Sequence, residues 1–226
     1  MAQTRTTRAV FAAATVAFAP LVLLVSLILH PHIGMGPPDP AMIAEAVVSH
    51  PTRWGFAHLA ASVASGLVLL AFLAIRSYLR EAGEERFSAV GIPFIAMGCT
   101  LYAVLPGMEM APLMAAKTGG NVQAAQTELI PWFLPVLIIG AISFAIGIVG
   151  FAKGIAASGV LSRHRTRLVI AALIVMAAAR FVPLSAVQFY VQGIAGVVAL
   201  WPLAYQMWTR PNDVSNPTGV KGVPRE

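Results

Sequence analysis

Residues 131–153 read PWFLPVLIIGAISFAIGIVGFAK, and this stretch decides the fold class. It has no charged side chain before Lys153, and about 20 consecutive apolar residues in a helix cross the ~30 Å hydrocarbon core of a bilayer. Similar stretches recur on both sides of it. We predict six spans, at residues 9–30, 55–79, 88–112, 131–153, 168–184 and 186–208. The chain is therefore predicted to be an all-α integral membrane helix bundle.

The composition of the 226-residue chain agrees with this fold class, since 58% of the residues are hydrophobic and only 11% are charged. Soluble domains carry about 25% charged residues, so a water-soluble globule is excluded. The formal net charge is +6, but the basic residues are scattered between apolar runs, and we expect no nucleic-acid partner. The single cysteine, Cys99, excludes an internal disulfide and a Cys-rich metal site.

The distribution of Lys and Arg predicts the orientation of the spans, because cytoplasmic loops are enriched in both. With the N-terminus in the cytoplasm, all 15 of these residues except Arg53, Lys117 and Arg180 lie on the cytoplasmic side. The first apolar run is longer than a signal-peptide core of about 7–15 residues, so we interpret it as an uncleaved span. We predict one membrane domain over residues 1–208 in the cytoplasmic (plasma) membrane, and a disordered cytoplasmic tail over residues 209–226.

Two external loops carry local helix signals. Asp39 followed by Pro40 is typical of a helix start, and we predict a short helix over residues 41–49 that lies on the bilayer or caps the bundle. Asn121 is predicted to cap another helix, which runs through Glu128 and leads into the fourth span. Trp54 is predicted to lie at the outer membrane interface, where amphipathic aromatic rings are enriched.

Small residues recur at helical spacing along the fourth span, at Ser143, Gly147, Gly150 and Gly154. Such faces allow helix backbones to approach closely. We expect this face to pack inside one bundle, and an oligomer formed through small-residue faces is the alternative.

Ionisable side chains inside a membrane are costly, so each one is a candidate functional residue. Glu109 lies near the outer end of the third span, directly after Pro106 and Gly107, which are expected to bend the helix. Arg180 lies in the outer part of the fifth span, and its side chain leans toward the cytoplasmic end, away from the nearer water. We therefore predict that Arg180 forms an ion pair with Glu109.

Further polar side chains, at His58, Gln188 and Gln192, lie at similar depth. With Glu109 and Arg180 they predict a polar pocket near the external face for a lipophilic or anionic ligand. The sequence favours a binding or accessory membrane subunit, whose partners would be the lipid bilayer and a lipophilic small molecule or a partner membrane subunit. A small secondary transporter, a membrane enzyme that uses the external His/Glu cluster, and a purely structural polar layer are the alternatives.

Metal binding is the weakest of the chemical interpretations. His30, His32 and His50 border the polar layer and are the candidate ligands. No His-x-x-x-His or Glu-x-x-His pair shares a helix face, however, so the spacing matches no metal motif. We expect neither a metal nor another cofactor.

Overall fold

The computed structural model describes residues 7–31, 33–34 and 36–209, and over this part of the chain the fold is all-helical, as predicted. The helices are α1 (Thr7–Leu29), α2 (Pro40–Ser49), α3 (Pro51–Glu81), α4 (Phe87–Met108), α5 (Met110–Thr118), α6 (Val122–Ser158), α7 (Arg163–Ala178) and α8 (Gln192–Thr209). A 3-10 turn at Ala179–Phe181 and a π-helical turn at Val187–Val191 connect α7 to α8. The predicted tail lies outside the described residues from residue 210 onward.

Five apolar segments among the described residues are long enough to cross a membrane. They are Thr7–Leu29, Pro51–Glu81, Phe87–Thr118, Val122–Ser158 and Val187–Thr209. Large apolar side chains on their outer surfaces are exposed, as with Phe11 at 73% and Phe56 at 66%. An exposed apolar surface of this extent is suited to lipid rather than to water. The protein is therefore a helical membrane protein with several spans.

The long helices form a closed ring. Each packs against the next in the order α1, α3, α4, α6, α7 and α8, and α8 packs against α1. At one end of the ring, α2 and α5 lie across the opening and contact α3 and α6; we call this the capped end. Toward the opposite end the ring is filled by an apolar core in which Phe72 contacts both Phe144 and Phe151 edge-on.

The helix starts at the capped end follow the sequence closely. The Asp39 carboxylate accepts a hydrogen bond from the Ala41 N–H at 3.0 Å, and Pro40 is the first residue of α2. Both features were predicted, and α2 caps the bundle. Ile43, Ala46, Val47, Trp54, Leu113 and Val122 belong to the apolar cluster beneath it.

The start of α6 differs from the prediction in its extent. The Asn121 side chain accepts from the Ala124 N–H at 2.9 Å, as expected of a cap. The helix does not stop at Glu128, however, and runs on through Pro131 and Pro135. Proline is tolerated inside apolar helices when neighbouring helices support the backbone, and α2 and α5 pack against α6.

The small-residue face of α6 packs against α4. A Cβ atom on Gly150 would lie 2.8 Å from the Gly91 Cα atom, and one on Gly147 would lie 2.7 Å from the Ile95 side chain. The two backbones are therefore in close contact, and this face is used inside the chain.

The turn between α3 and α4, at the end opposite the caps, is held by a buried carboxylate. Glu84 accepts hydrogen bonds from the backbone N–H groups of Phe87 and Ser88 at the start of α4. Burial alone would raise the pKa of the Glu84 carboxyl, but hydrogen bonding from Ser88 and Phe87 outweighs it and lowers that pKa below its ordinary value.

Candidate functional site

A cavity of about 430 Å³ lies inside the ring next to the capped end. This volume falls in the range of roughly 300–1,000 Å³ that small-molecule sites occupy. Most of the wall is apolar, with contributions from Leu27, Ile43, Leu105, Phe133, Leu137 and Phe189. The cavity is therefore suited to a lipophilic molecule.

The structure brings all five residues of the predicted ligand pocket to this one cavity. His58 comes from α3, Glu109 from the α4–α5 junction, Arg180 from the 3-10 turn after α7, Gln188 from the π-helical turn and Gln192 from the start of α8. All except Gln188 are buried. That these residues bind a ligand stays a prediction, but the structure shows that all five line the same cavity.

The guanidinium of Arg180 lies between two aromatic rings. Its Cζ atom is 3.8 Å from the ring centroid of Tyr102 on α4 and 3.8 Å from that of Phe144 on α6. Such cation–π contacts contribute about 2 kcal/mol each when the cation is desolvated. Arg180 is only 6% exposed, and its Nε and Nη1 atoms have no hydrogen-bond partner.

The predicted ion pair between Arg180 and Glu109 is wrong. The Arg180 side chain lies over Tyr102, which is seven residues before Glu109 along α4. Seven residues correspond to a rise of about 10 Å along a helix. The two charges therefore line different parts of the cavity, and aromatic rings take the place of the expected carboxylate.

Glu109 lies at the break between α4 and α5, where Pro106 and Gly107 predicted a bend. Its backbone carbonyl accepts a hydrogen bond from the Trp54 indole N–H at 3.1 Å. Its Oε1 atom accepts from the Gln126 amide at 3.4 Å, while Glu109 Oε2 and Gln126 Oε1 have no partner. Two buried acceptor atoms are thus left unpaired at this end of the cavity.

Two histidines and a tryptophan form an aromatic cluster beside Glu109. Trp54 is 1% exposed and stacks on His58 at 4.4 Å, so its predicted place at the membrane interface is wrong. The His30 ring lies 4.9 Å from the centroids of both. Nδ1 of His58 faces the Trp54 carbonyl at 2.7 Å, and that of His30 faces the Pro31 carbonyl at 2.8 Å. Since a carbonyl only accepts, each Nδ1 carries the hydrogen, and a neutral ring leaves Nε2 as an acceptor.

Of the three candidate metal ligands the structure describes two, and these two do not line a common site. His30 lines the cavity, His50 is exposed between α2 and α3, and His32 lies outside the described residues. Among the described residues, no group of three or more His, Cys, Asp or Glu side chains is placed to hold a metal ion.

A smaller cavity of about 70 Å³ adjoins the main one. His30 and Phe189 line both cavities, and their ring centroids are 4.8 Å apart, so the two rings form part of the dividing wall. Arg53 lines the smaller cavity and donates hydrogen bonds to the carbonyls of Leu29 and His30 at the end of α1. This contact fixes the backbone that carries the His30 ring.

Sequence reasoning missed several residues of the site. Tyr102 and Phe144 are ordinary apolar positions in a hydropathy pattern, and nothing in the sequence marks them as partners of a cation. Gln126 lies in a helix that was predicted to be external, where a polar side chain is unremarkable. Only the folded ring brings these residues next to Arg180 and Glu109.

Comparison with family models, with curated proteins and with solved structures found no match. The fold defines a helical membrane protein with several spans and an internal cavity. The side chains that line that cavity are therefore the features that bear on its function.

Proposed function

We propose that this protein binds a lipophilic molecule that has an acidic group, and that Arg180 binds the acid. The observation that carries the proposal is a buried guanidinium, on the wall of a largely apolar cavity, with two unpaired nitrogen atoms. An unsatisfied buried donor costs about 1–3 kcal/mol, and more when it is charged. A carboxylate or another anionic group would satisfy both donors and the charge together.

The aromatic rings support this role of Arg180. Each ring has its centroid 3.8 Å from the guanidinium Cζ atom, whereas the hydrogen-bond donors of a guanidinium lie in the plane of the group. The rings therefore stabilise the cation while its Nε and Nη1 atoms stay without a partner inside the protein, and these two atoms remain available to a ligand. An ion pair with Glu109 would have occupied them.

The core beneath the cavity favours retention of a ligand over its passage. Phe72, Phe144 and Phe151 have no exposed surface and fill the ring on the side away from the caps. A secondary transporter alternates access between the two sides of the membrane, which would require this core to open. A binding or accessory membrane protein is therefore better supported than a transporter.

We also infer six spans, with α7 as the fifth in chain order. The 16 residues of α7 and the three of the 3-10 turn rise together by about 30 Å, the thickness of the hydrocarbon core. α7 lies in the ring between α6 and α8. The excess of Lys and Arg then places both termini in the cytoplasm and the capped end outside a plasma membrane.

Cysteine labelling tests this topology. Thr118 at the capped end and Ser162 at the opposite end are both exposed, and the native Cys99 is buried. A membrane-impermeant maleimide should label Thr118→Cys in intact cells and Ser162→Cys only after permeabilisation, with the unsubstituted protein as the control. The reverse pattern, or equal labelling in intact cells, would contradict the topology.

Ligand-induced thermal stabilisation tests the proposed function. A long-chain fatty acid should raise the unfolding temperature of the delipidated protein, and the fatty alcohol of equal chain length should not. Arg180→Met should abolish the effect. Arg165→Met is the matched control, because Arg165 is exposed and contacts the Tyr205 ring away from the cavity. Equal stabilisation by acid and alcohol, or equal losses in the two variants, would refute the proposal.

A further inference from the structure

The cavity has a second set of unpaired polar atoms, and these are acceptors rather than donors. Glu109 Oε2 and Gln126 Oε1 are without partners, although the two residues are only 8% and 5% exposed. The orientation of the Gln126 amide follows from its bond to Glu109, because its NH₂ group faces the Glu109 Oε1 atom. Its oxygen is therefore left without a donor inside the protein.

From these atoms we infer that the bound molecule is a hydroxylated lipophilic acid, whose hydroxyl group binds between Glu109 and Gln126. This inference rests on the proposed function, since Arg180 holds the acid. A hydroxyl both donates and accepts a hydrogen bond. It can donate to Gln126 Oε1 and accept from Glu109 when that carboxyl is protonated, and when the carboxyl is ionised its single hydrogen pairs with one of the two acceptors.

The histidines beside Glu109 make the same end of the cavity rich in acceptors. His58 and His30 line the cavity, and both use Nδ1 for a backbone carbonyl. The Trp54 indole ties this cluster to Glu109 through the Glu109 carbonyl. The cavity thus has hydrogen-bond donors at Arg180 and hydrogen-bond acceptors near the caps. A ligand with a single polar group would pair with one of these two sets and leave the other unpaired.

The spacing along α4 sets where the hydroxyl lies. The guanidinium covers Tyr102, and Glu109 is about 10 Å further along the helix. Leu105 and Pro106 line the cavity between these two residues. The acid and the hydroxyl are therefore separated by an apolar segment, as in a fatty acid hydroxylated in mid-chain and not next to its carboxyl group.

Three probes of equal chain length test the inference by calorimetric titration of the delipidated protein. They are a long-chain fatty acid, the same acid with a mid-chain hydroxyl, and the same acid with a hydroxyl beside the carboxyl group. The mid-chain hydroxy acid should bind about tenfold more tightly than the plain acid, because its hydroxyl donates to a buried acceptor that is otherwise unpaired. The acid with the adjacent hydroxyl should show no such gain.

The outcomes separate this inference from the proposed function. If the plain acid binds and the mid-chain hydroxyl adds nothing, the inference fails and the function stands. Equal gains from both hydroxyl positions would also overturn it. If none of the three acids binds, both fail. Because this comparison uses the unsubstituted protein, it does not depend on whether any variant folds.

A double variant checks which residues bind the hydroxyl. Glu109→Leu with Gln126→Leu removes both partners together, so that neither is left unpaired. The ratio of its affinities for the mid-chain hydroxy acid and the plain acid should fall from about ten to about one. Gln123→Leu, at an exposed position on the same helix, is the control and should keep the preference. A preference that persists in the double variant would overturn the assignment to these two residues.

Discussion

Replacing Arg180 by Met separates the role of the guanidinium in binding from any role in folding. Inserting an arginine at the centre of a membrane helix costs about 2.5–3.5 kcal/mol, and Arg180, near the outer end of its proposed span, should cost no more than this. The contacts with Tyr102 and Phe144, each with its ring centroid 3.8 Å from Cζ, return about 2 kcal/mol apiece. These contributions nearly cancel. We therefore expect the unfolding free energy of the empty protein to change by no more than about 1–2 kcal/mol.

The effect of Arg180→Met on ligand binding should be much larger. Two unpaired nitrogen atoms are available, and a hydrogen bond from a charged group contributes about 1.5–3 kcal/mol. Losing both should weaken the affinity for a fatty acid by at least roughly 100-fold. At a ligand concentration 100 times its dissociation constant, ligand binding stabilises the normal protein by about 2.7 kcal/mol. Nearly all of that stabilisation should disappear in the variant.

Two measurements on the same preparations check this reasoning. Denaturant unfolding in mixed micelles gives the stability with and without the acid, and calorimetric titration gives the affinity. Arg165→Met should resemble the unsubstituted protein in both. Destabilisation of the empty Arg180→Met variant by more than about 3 kcal/mol, or unchanged affinity of the variant for the acid, would contradict this role of Arg180.

Three other predictions concern packing, pH and exchange between the cavities. Gly150→Ala should destabilise the protein by about 1–3 kcal/mol in denaturant unfolding, because its Cβ would lie 2.8 Å from the Gly91 backbone. The control is Gly66→Ala, which should be neutral or stabilising because nothing lies within 4 Å of its Cβ. Equal effects of the two substitutions would contradict the close packing of α4 and α6. The pKa of the Glu84 carboxyl is lower in the folded protein than its ordinary value of about 4.5, so its ionised form stabilises the fold above that pH and this stabilisation is lost as the pH falls. Glu84→Gln should therefore flatten the acid limb of a profile of unfolding free energy against pH. An unchanged profile would mean that Glu84 does not cause the loss of stability in acid. Phe189→Ala removes part of the wall between the two cavities, and stopped-flow measurements should find faster association and faster dissociation of a fatty acid; unchanged rates would mean that the ring does not restrict exchange.

The membrane fold and five polar residues of the cavity wall could be predicted from the sequence, because both depend on position along an apolar helix. Hydropathy identifies the spans, and a rise of about 1.5 Å per residue places His58, Glu109 and Arg180 in the same outer half of the bundle, without resolving a difference of about 10 Å between two of them. Depth does not specify the rotation of each helix or the direction of each side chain. The expected partner of Arg180 was therefore the nearest opposite charge, whereas the fold places aromatic rings there.

The same limit explains the errors at the capped end. Trp54 has the composition and position of an interfacial aromatic residue, but α2 and α5 fold over it and bury it. Pro131 looks like a helix boundary in the sequence, yet α6 continues through it. In both cases a tertiary contact outweighs a local preference, and a single sequence contains no record of that contact.

The ring is completed where α8 packs against α1, the last and the first of the described helices. Gln192, which belongs to the cavity wall, stands at the beginning of α8. During synthesis Arg180 consequently leaves the ribosome before the final wall of its pocket exists, and the pocket is complete only when α8 has inserted. Occupancy by the acid would thus mark a fully assembled molecule, and a nascent chain arrested before α8 would present an open groove to the surrounding lipid, with Arg180 held only by the rings of Tyr102 and Phe144.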